Sequence, residues 1–197
     1  MKSKPKIAVF ASGNGSNFHA ILDATKKNDL HADVVAVVTD RPQAYVVERA
    51  TTAGVPAIAL RPNDFASKTE YEQAILIELK KLGVEWLILA GYMRLIGETL
   101  LEAYANKIVN IHPSLLPSFP GKDAIGQALA HGVKVTGVTV HTVDAGMDTG
   151  PILAQKAVDI AGCNREQAEQ RIHAIEHEVY TKTLQQLLSR RPTGSGS

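Results

Sequence analysis

The 197 residues contain a single cysteine, Cys163, so no internal disulfide is available and the fold needs no oxidising compartment. It lies in the turn-like Ala161-Gly162-Cys163-Asn164 with no basic neighbour before Arg165, which argues for a bystander thiol. A surplus of either charge is also lacking, with 21 Lys+Arg against 20 Asp+Glu. A chain without basic excess is poorly suited to a nucleic-acid polyanion or an anionic membrane surface. Long apolar runs are missing too. The longest uncharged apolar stretch, Trp86–Met93, falls far short of the roughly 20 residues that span a bilayer. Lys2, Lys4 and Lys6 precede the apolar run Ile7–Ala11, but that run is too short for a signal-peptide core and leads into a glycine loop. The expectation is a cytoplasmic protein with no membrane or nucleic-acid partner, either a monomer or a homodimer.

What is present is an alternation of short β-branched runs with helix-period segments. Strands are predicted at Ile7–Ala11, Val34–Thr39, Ala57–Leu60, Trp86–Ala90, Ile108–Ile111, Gly137–Val140 and Ile152–Ala157. Helices are predicted at Asn17–Lys27, Gln43–Ala53, Lys68–Leu82, Ile125–Ala130 and Arg165–Arg190. The pattern is that of an α/β fold, a doubly wound and mostly parallel sheet with helices on both faces. The first and fourth strands are continuously apolar, so both belong near the sheet centre, buried on each face. Ahead of the last helix, Asn164 and Gln167 have capping-box spacing. Residues 1–190 read as one domain, and 191–197, ending Thr193-Gly194-Ser195-Gly196-Ser197, as a flexible tail.

Three segments carry chemistry. Ser12-Gly13-Asn14-Gly15-Ser16-Asn17 follows the first strand and opens a helix, whose free N–H groups and positive dipole end favour an anion such as phosphate. It matches a dinucleotide fingerprint poorly, since Phe18 takes the third glycine's place, and a plain tight turn is the competing reading. Asn110-Ile111-His112-Pro113 ends the fifth strand, where positions i and i+2 project together and Pro113 keeps His112 extended. An amide donor beside an imidazole suits an oxyanion with a proton to move, although both residues could simply satisfy a strand end. The third, His141 to Gly150, is a glycine-rich loop with a histidine and the carboxylates Asp144 and Asp148. Should Asp148 meet His112, the carboxylate would favour the imidazolium; a solvated acidic turn is the alternative.

Two further motifs compete for attention. His173-Ala174-Ile175-Glu176-His177 has the H-x-x-E-H spacing of a zinc peptidase, but no third ligand is evident nearby and the expectation is no metal. Tyr92-Met93-Arg94 follows the fourth strand, where ligands of doubly wound sheets bind.

Four segments match a known family in order: Val9 to Asn17, Ala90-Gly91-Tyr92-Met93-Arg94, Asn110 to Pro117, and Asp144-Ala145-Gly146-Met147-Asp148-Thr149-Gly150-Pro151. They resemble the phosphoribosylglycinamide formyltransferases, folate-dependent enzymes of purine synthesis, and the likeness runs from about Lys6 to Leu188. The resemblance implies a Rossmann-like formyltransferase fold and formyl transfer from 10-formyltetrahydrofolate, as co-substrate, to the amine of glycinamide ribonucleotide. It places the catalytic trio on Asn110, His112 and Asp148, and the ribonucleotide contacts on Gly15, Ser16, Asn17 and Glu176. It places reduced folate around Lys68, Met93, Arg94, Leu95 and Ile96, with Asp144 and Met147 lining the pterin pocket.

Some positions depart from the family. Lys68 stands where some members have arginine, Thr142 where an aromatic residue is common, and Asp123 and Ile125 where some relatives carry histidines. The nearest rival is a formyltetrahydrofolate hydrolase, which uses a similar Asn/His/Asp set with water as acceptor. Members of that family usually carry an extra N-terminal domain, whereas this chain opens on its first strand. A free-standing domain also points to a bacterial source, since animal versions are commonly fused to other enzymes.

Overall fold

Strand β1 (Lys6–Phe10) buries four successive apolar residues, Ile7, Ala8, Val9 and Phe10, each at 0% exposure. Alternation sends Ile7 and Val9 to one face and Ala8 and Phe10 to the other, where they join two separate apolar cores. In the computed structural model, which describes residues 3–189, β1 lies inside a seven-stranded sheet. The other strands are β2 (Asp33–Thr39), β3 (Ala57–Ala59), β4 (Trp86–Leu89), β5 (Ile108–His112), β6 (Val135–Thr142) and β7 (Ile152–Asp159). Their order is β3-β2-β1-β4-β5-β6-β7. The first five run parallel, β6 pairs antiparallel with β5, and β7 antiparallel with β6.

Helices cover both faces. The side of Ile7 and Val9 packs against α1 (Ser16–Lys26), α2 (Tyr45–Thr52), α5 (Ala124–Ala130) and α6 (Arg165–Ser189). The side of Ala8 and Phe10 packs against α3 (Lys68–Leu82) and α4 (Glu98–Ala103). Local signals set the ends. Ser67 Oγ accepts the Glu70 N–H at the start of α3, and Gly83, at φ +68°, closes it. The expected capping box forms before α6: Gln167 N–H donates to Asn164 Oδ1 at 2.9 Å, and Asn164 N–H to Gln167 Oε1 at 3.0 Å.

The sheet departs from the sequence reading at one edge. Strands β6 and β7 outrun the predicted Gly137–Val140 and Ile152–Ala157, because hairpin pairing from Val135 against Asp159 supplies ladder bonds regardless of side chain. The short helix α4 is absent from the sequence pattern, since six residues carry too little periodicity to read. The predicted tail at 191–197, and Arg190 at the end of the last predicted helix, lie outside the described residues.

Successive strands leave β1 in opposite directions, β2 and β3 to one side and β4 onward to the other. The carboxyl ends of β1 and β4 therefore flank a switch point, the place where open α/β sheets form a ligand crevice. The buried Tyr180 of α6 fixes that region from one face, its hydroxyl lying 2.7 Å from Leu89 O and 3.0 Å from Val109 O. Among the described residues no helix is long and apolar enough to cross a membrane.

Candidate active site

A cleft of about 910 Å³ opens at the switch point and gathers the loops after β1, β4 and β5 with the β6–β7 loop and one side of α6. At its floor, Asn110 and His112 project together from β5, as their spacing requires. His112 is buried, and its Nε2–H donates to the Phe119 carbonyl at 2.8 Å. The ring's other nitrogen, Nδ1, faces Asp148 Oδ2 at 3.4 Å.

Asp148 arrives on the nine-residue loop between β6 and β7, held at φ +55°. Gly121 N–H donates to its Oδ2 at 2.8 Å, and the His141 ring faces Oδ1 at 3.7 Å. Burial pushes this carboxyl up, but the His141 ring, the Gly121 N–H and the charge on His112 outweigh it and hold Asp148 below the usual carboxylate range.

Local sequence pattern gives His141 no site role, and the structure places it on the cleft wall. The antiparallel register sets it opposite Asn110. Its Nδ1–H donates to Thr142 O at 2.8 Å, so Nε2 of the neutral ring is an acceptor for Asn110 Nδ2–H at 3.3 Å. Asn110 keeps a second amide hydrogen with no partner among the described residues. The motif around His141 was visible, but its neighbour was not, because register between strands is absent from local pattern. The backbone groups of Phe119 and Gly121 were likewise invisible.

Gly15, Ser16 and Asn17 all line the opposite end of the cleft, where α1 begins. Gly15 has φ +77°, and a Cβ there would stand 2.5 Å from Val46 Cγ2. Contacts from α2 fix the loop: Val46 N–H donates to Gly13 O at 3.1 Å, and Arg49 bonds both Asn14 O and Asn14 Oδ1. Asn17 is buried, with no partner for Oδ1 among the described residues. Gly15→Ala should cost about 1–2 kcal/mol for the left-handed backbone and about 1–3 kcal/mol for crowding Val46. A lower denaturant midpoint is the expected readout; a loss of only about 1–2 kcal/mol would show that α2 yields, and an unchanged midpoint would overturn the prediction.

Glu176 reaches the same end from α6, buried, accepting a 2.7 Å hydrogen bond from His173 Nδ1. That bond raises the His173 pKa, whereas burial lowers that of His177. The H-x-x-E-H spacing thus yields an ion pair across one helical turn. Among the described residues no group of three or more His, Cys, Asp or Glu is arranged to hold a metal ion.

The far end of the cleft is apolar. Met93, Leu95 and Met147 are about half exposed at its mouth, with Arg94 and Ile96 beside them. Ser12 holds this segment: its Oγ accepts Met93 N–H at 2.9 Å and donates to Asp40 at 2.5 Å. Two expected folate residues lie elsewhere. Lys68 lines a smaller cavity of about 480 Å³ with Glu72 and Gly97, because it opens α3 on the other side of that segment. Asp144 is not part of the cleft wall; it accepts from Gly146 N–H at 3.0 Å and Thr149 O–H at 2.6 Å and so shapes the loop that carries Asp148. Asp123 and Ile125, the departures from the family, have structural duties as well. Asp123 caps α5 and pairs with Arg165 at 2.7 Å, while Ile125 is buried in the core.

An anion-favouring helix start, an amide beside a buried imidazole–carboxylate pair and an apolar mouth are thus gathered in one cleft of an α/β fold, the arrangement of a transferase. The chain belongs to the formyl transferase family, whose model matches residues 5–184. It is 55% identical to the phosphoribosylglycinamide formyltransferase of Bacillus subtilis (strain 168), over 93% of this chain and 94% of that protein. Among solved structures, the glycinamide ribonucleotide transformylase 1 of Geobacillus kaustophilus is 58% identical with a TM-score of 0.92, over 94% of this chain and 100% of that one. The trifunctional purine biosynthetic protein adenosine-3 of Drosophila melanogaster is 41% identical over 94% of this chain, which spans only 14% of that longer protein.

Proposed function

We propose that this chain, as one cytoplasmic domain over residues 1–190, transfers the formyl group of 10-formyltetrahydrofolate to the amine of glycinamide ribonucleotide, giving formylglycinamide ribonucleotide and tetrahydrofolate. The observation that carries the reading is that Asn110, His112 and Asp148, the last two 3.4 Å apart, line one cleft together with the α1 start and the apolar Met93–Ile96 segment. Gly15, Ser16 and Asn17 would take the ribonucleotide phosphate on the free N–H groups of α1, with Glu176 beside the ribose. Met93, Arg94, Leu95, Ile96 and Met147 would hold the folate, with Lys68 and Asp144 acting from behind, through the segment and the loop that they support.

The amine attacks the formyl carbon directly, and negative charge develops on the formyl oxygen. The free amide hydrogen of Asn110 donates to that oxygen, while His112, whose two ring nitrogens are held by the Phe119 carbonyl and Asp148, stabilises it through space when charged. Asp148 orients the ring, and relays the amine proton through a water. The folate nitrogen gains a proton as it leaves, so the net proton passes from amine to leaving group. Holding both substrates in one cleft adds the benefit of orientation. No step calls for a metal.

The test is folate product formation from 10-formyltetrahydrofolate with and without glycinamide ribonucleotide. Strict dependence on the ribonucleotide, with equimolar formylated product, is expected. Folate release in its absence would indicate hydrolysis and overturn the reading.

A further inference from the structure

The segment between β5 and α5 supplies both backbone groups that orient the central pair. The Phe119 carbonyl accepts from His112 Nε2–H, and Gly121 N–H donates to Asp148 Oδ2, each at 2.8 Å. The two groups sit two residues apart in the chain, so they form one platform. Moving it would disturb the imidazole and the carboxylate together.

This platform has an uncommon backbone. Phe119 at φ +53°, Gly121 at φ +77° and Asp123 at φ +52° all occupy the left-handed region. Two of the three are not glycine, so the conformation persists only where surrounding contacts over-determine it. Gln127, half-buried on α5, provides such contacts. Its Nε2 donates to Pro120 O at 3.1 Å and to Lys122 O at 2.8 Å, the carbonyls on either side of Gly121. Carbonyls only accept, so the amide nitrogen must face them, and both of its hydrogens are spent there. The helix that carries Gln127 is itself anchored. Asp123 Oδ1 accepts Gly126 N–H at 3.3 Å, and the Asp123 carboxylate pairs with Arg165 of α6 at 2.7 and 3.2 Å. Gln127 is not part of the cleft wall.

We propose that Gln127 is a positioning residue for the transfer step, clamping the carbonyls of Pro120 and Lys122 so that Phe119 O stays on His112 and Gly121 N–H stays on Asp148. The inference deepens the formyl-transfer reading and rests on it. Because Gln127 acts through the central pair and not through a substrate, its loss falls on kcat and spares both KM values. A mere strut for α5 would instead lower stability and disturb binding along with turnover.

Two variants test this: Gln127→Met, of similar length without donors, and Gln127→Glu, of the same shape with oxygens facing the two carbonyls. Displacement of reacting groups by about 1 Å costs up to about 100-fold, so a kcat loss of about 10- to 100-fold is expected. Both KM values should stay within about two-fold. Histidine 15N spectra give a second readout that needs no turnover. The His112 Nε2–H, protected by the Phe119 carbonyl in the wild-type chain, should exchange rapidly in both variants. Wild-type kcat with a protected Nε2–H would overturn the proposal. So would parallel losses of kcat, KM and thermal midpoint with that proton still protected. If Gln127→Met fails to fold, Gln127→Glu decides by the same criteria. A wild-type chain that does not transfer formyl would overturn the functional reading alone, while the spectra still decide whether Gln127 governs His112.

Discussion

Asp148→Asn should lower kcat by about 10²- to 10⁴-fold, the usual cost of removing a group that governs proton transfer. The substitution is informative because the backbone is not confounded. Asp148 sits at φ +55°, a conformation that asparagine tolerates as well as aspartate. The side chain is almost wholly enclosed, with Gly121 N–H and the His112 ring against Oδ2 and the His141 ring 3.7 Å from Oδ1. An amide there removes the negative charge that faces the His112 ring. Ribonucleotide KM should change little, since Gly15, Ser16, Asn17 and Glu176 form the other end of the cleft. Steady-state rates with either substrate varied are the measurement, and near-wild-type turnover across neutral pH would sink the role.

The pH dependence has a defined sign. Burial raises the Asp148 pKa, but the His141 ring, the Gly121 N–H and the His112 charge bring it below the ordinary value. Its stabilising contribution is therefore fully present above the unfolded-chain pKa, about 3.9, and is lost as pH falls through the lower folded value. The same protonation should produce an acid limb in kcat below the ordinary carboxylate range. Asp148→Asn should lack that limb.

Asn110→Ala should cost about 10²- to 10³-fold in kcat, the typical effect of deleting one donor to a developing oxyanion. Two links fix the donor's direction. Thr142 O holds the His141 tautomer through Nδ1–H, and His141 Nε2 then accepts one hydrogen of the Asn110 amide. The other hydrogen is left for the reacting oxygen. Truncation to alanine removes that hydrogen and leaves the strand intact, because Asn110 pairs through its backbone with Leu89 and His141. A fall in kcat/KM with the folding midpoint unchanged is expected. A loss confined to the midpoint would mean that Asn110 serves only the sheet.

Much of the scaffold was legible in the chain because its determinants are local. Ile7–Ala11 and Trp86–Ala90 read as buried strands, since an unbroken apolar run suits a strand covered on both faces, and β1 and β4 form there. The box at Asn164 and Gln167 and the glycine turn before α1 were legible for the same reason. The departures also follow from physics. Strand β7 is an edge strand with much of its surface exposed, so its ends carry little apolar pattern. Asp123 and Ile125 depart from the family yet cap and fill α5. Lys68 resembled a ligand residue in the alignment of motifs, but its place at the head of α3 depends on packing that no motif encodes.

The sequence by itself determined the alternation of elements, the phosphate-favouring helix start and the projection of Asn110 and His112 from one side of a strand, because each depends on residues within a few positions of one another. Only the tertiary structure decided that Asp148 meets His112, that His141 stands opposite Asn110, and that Phe119 and Gly121 support them both. Those contacts are set by antiparallel register and by the closure of the β6–β7 loop. Neither leaves a trace in local periodicity, because side-chain spacing along one strand says nothing of the strand beside it.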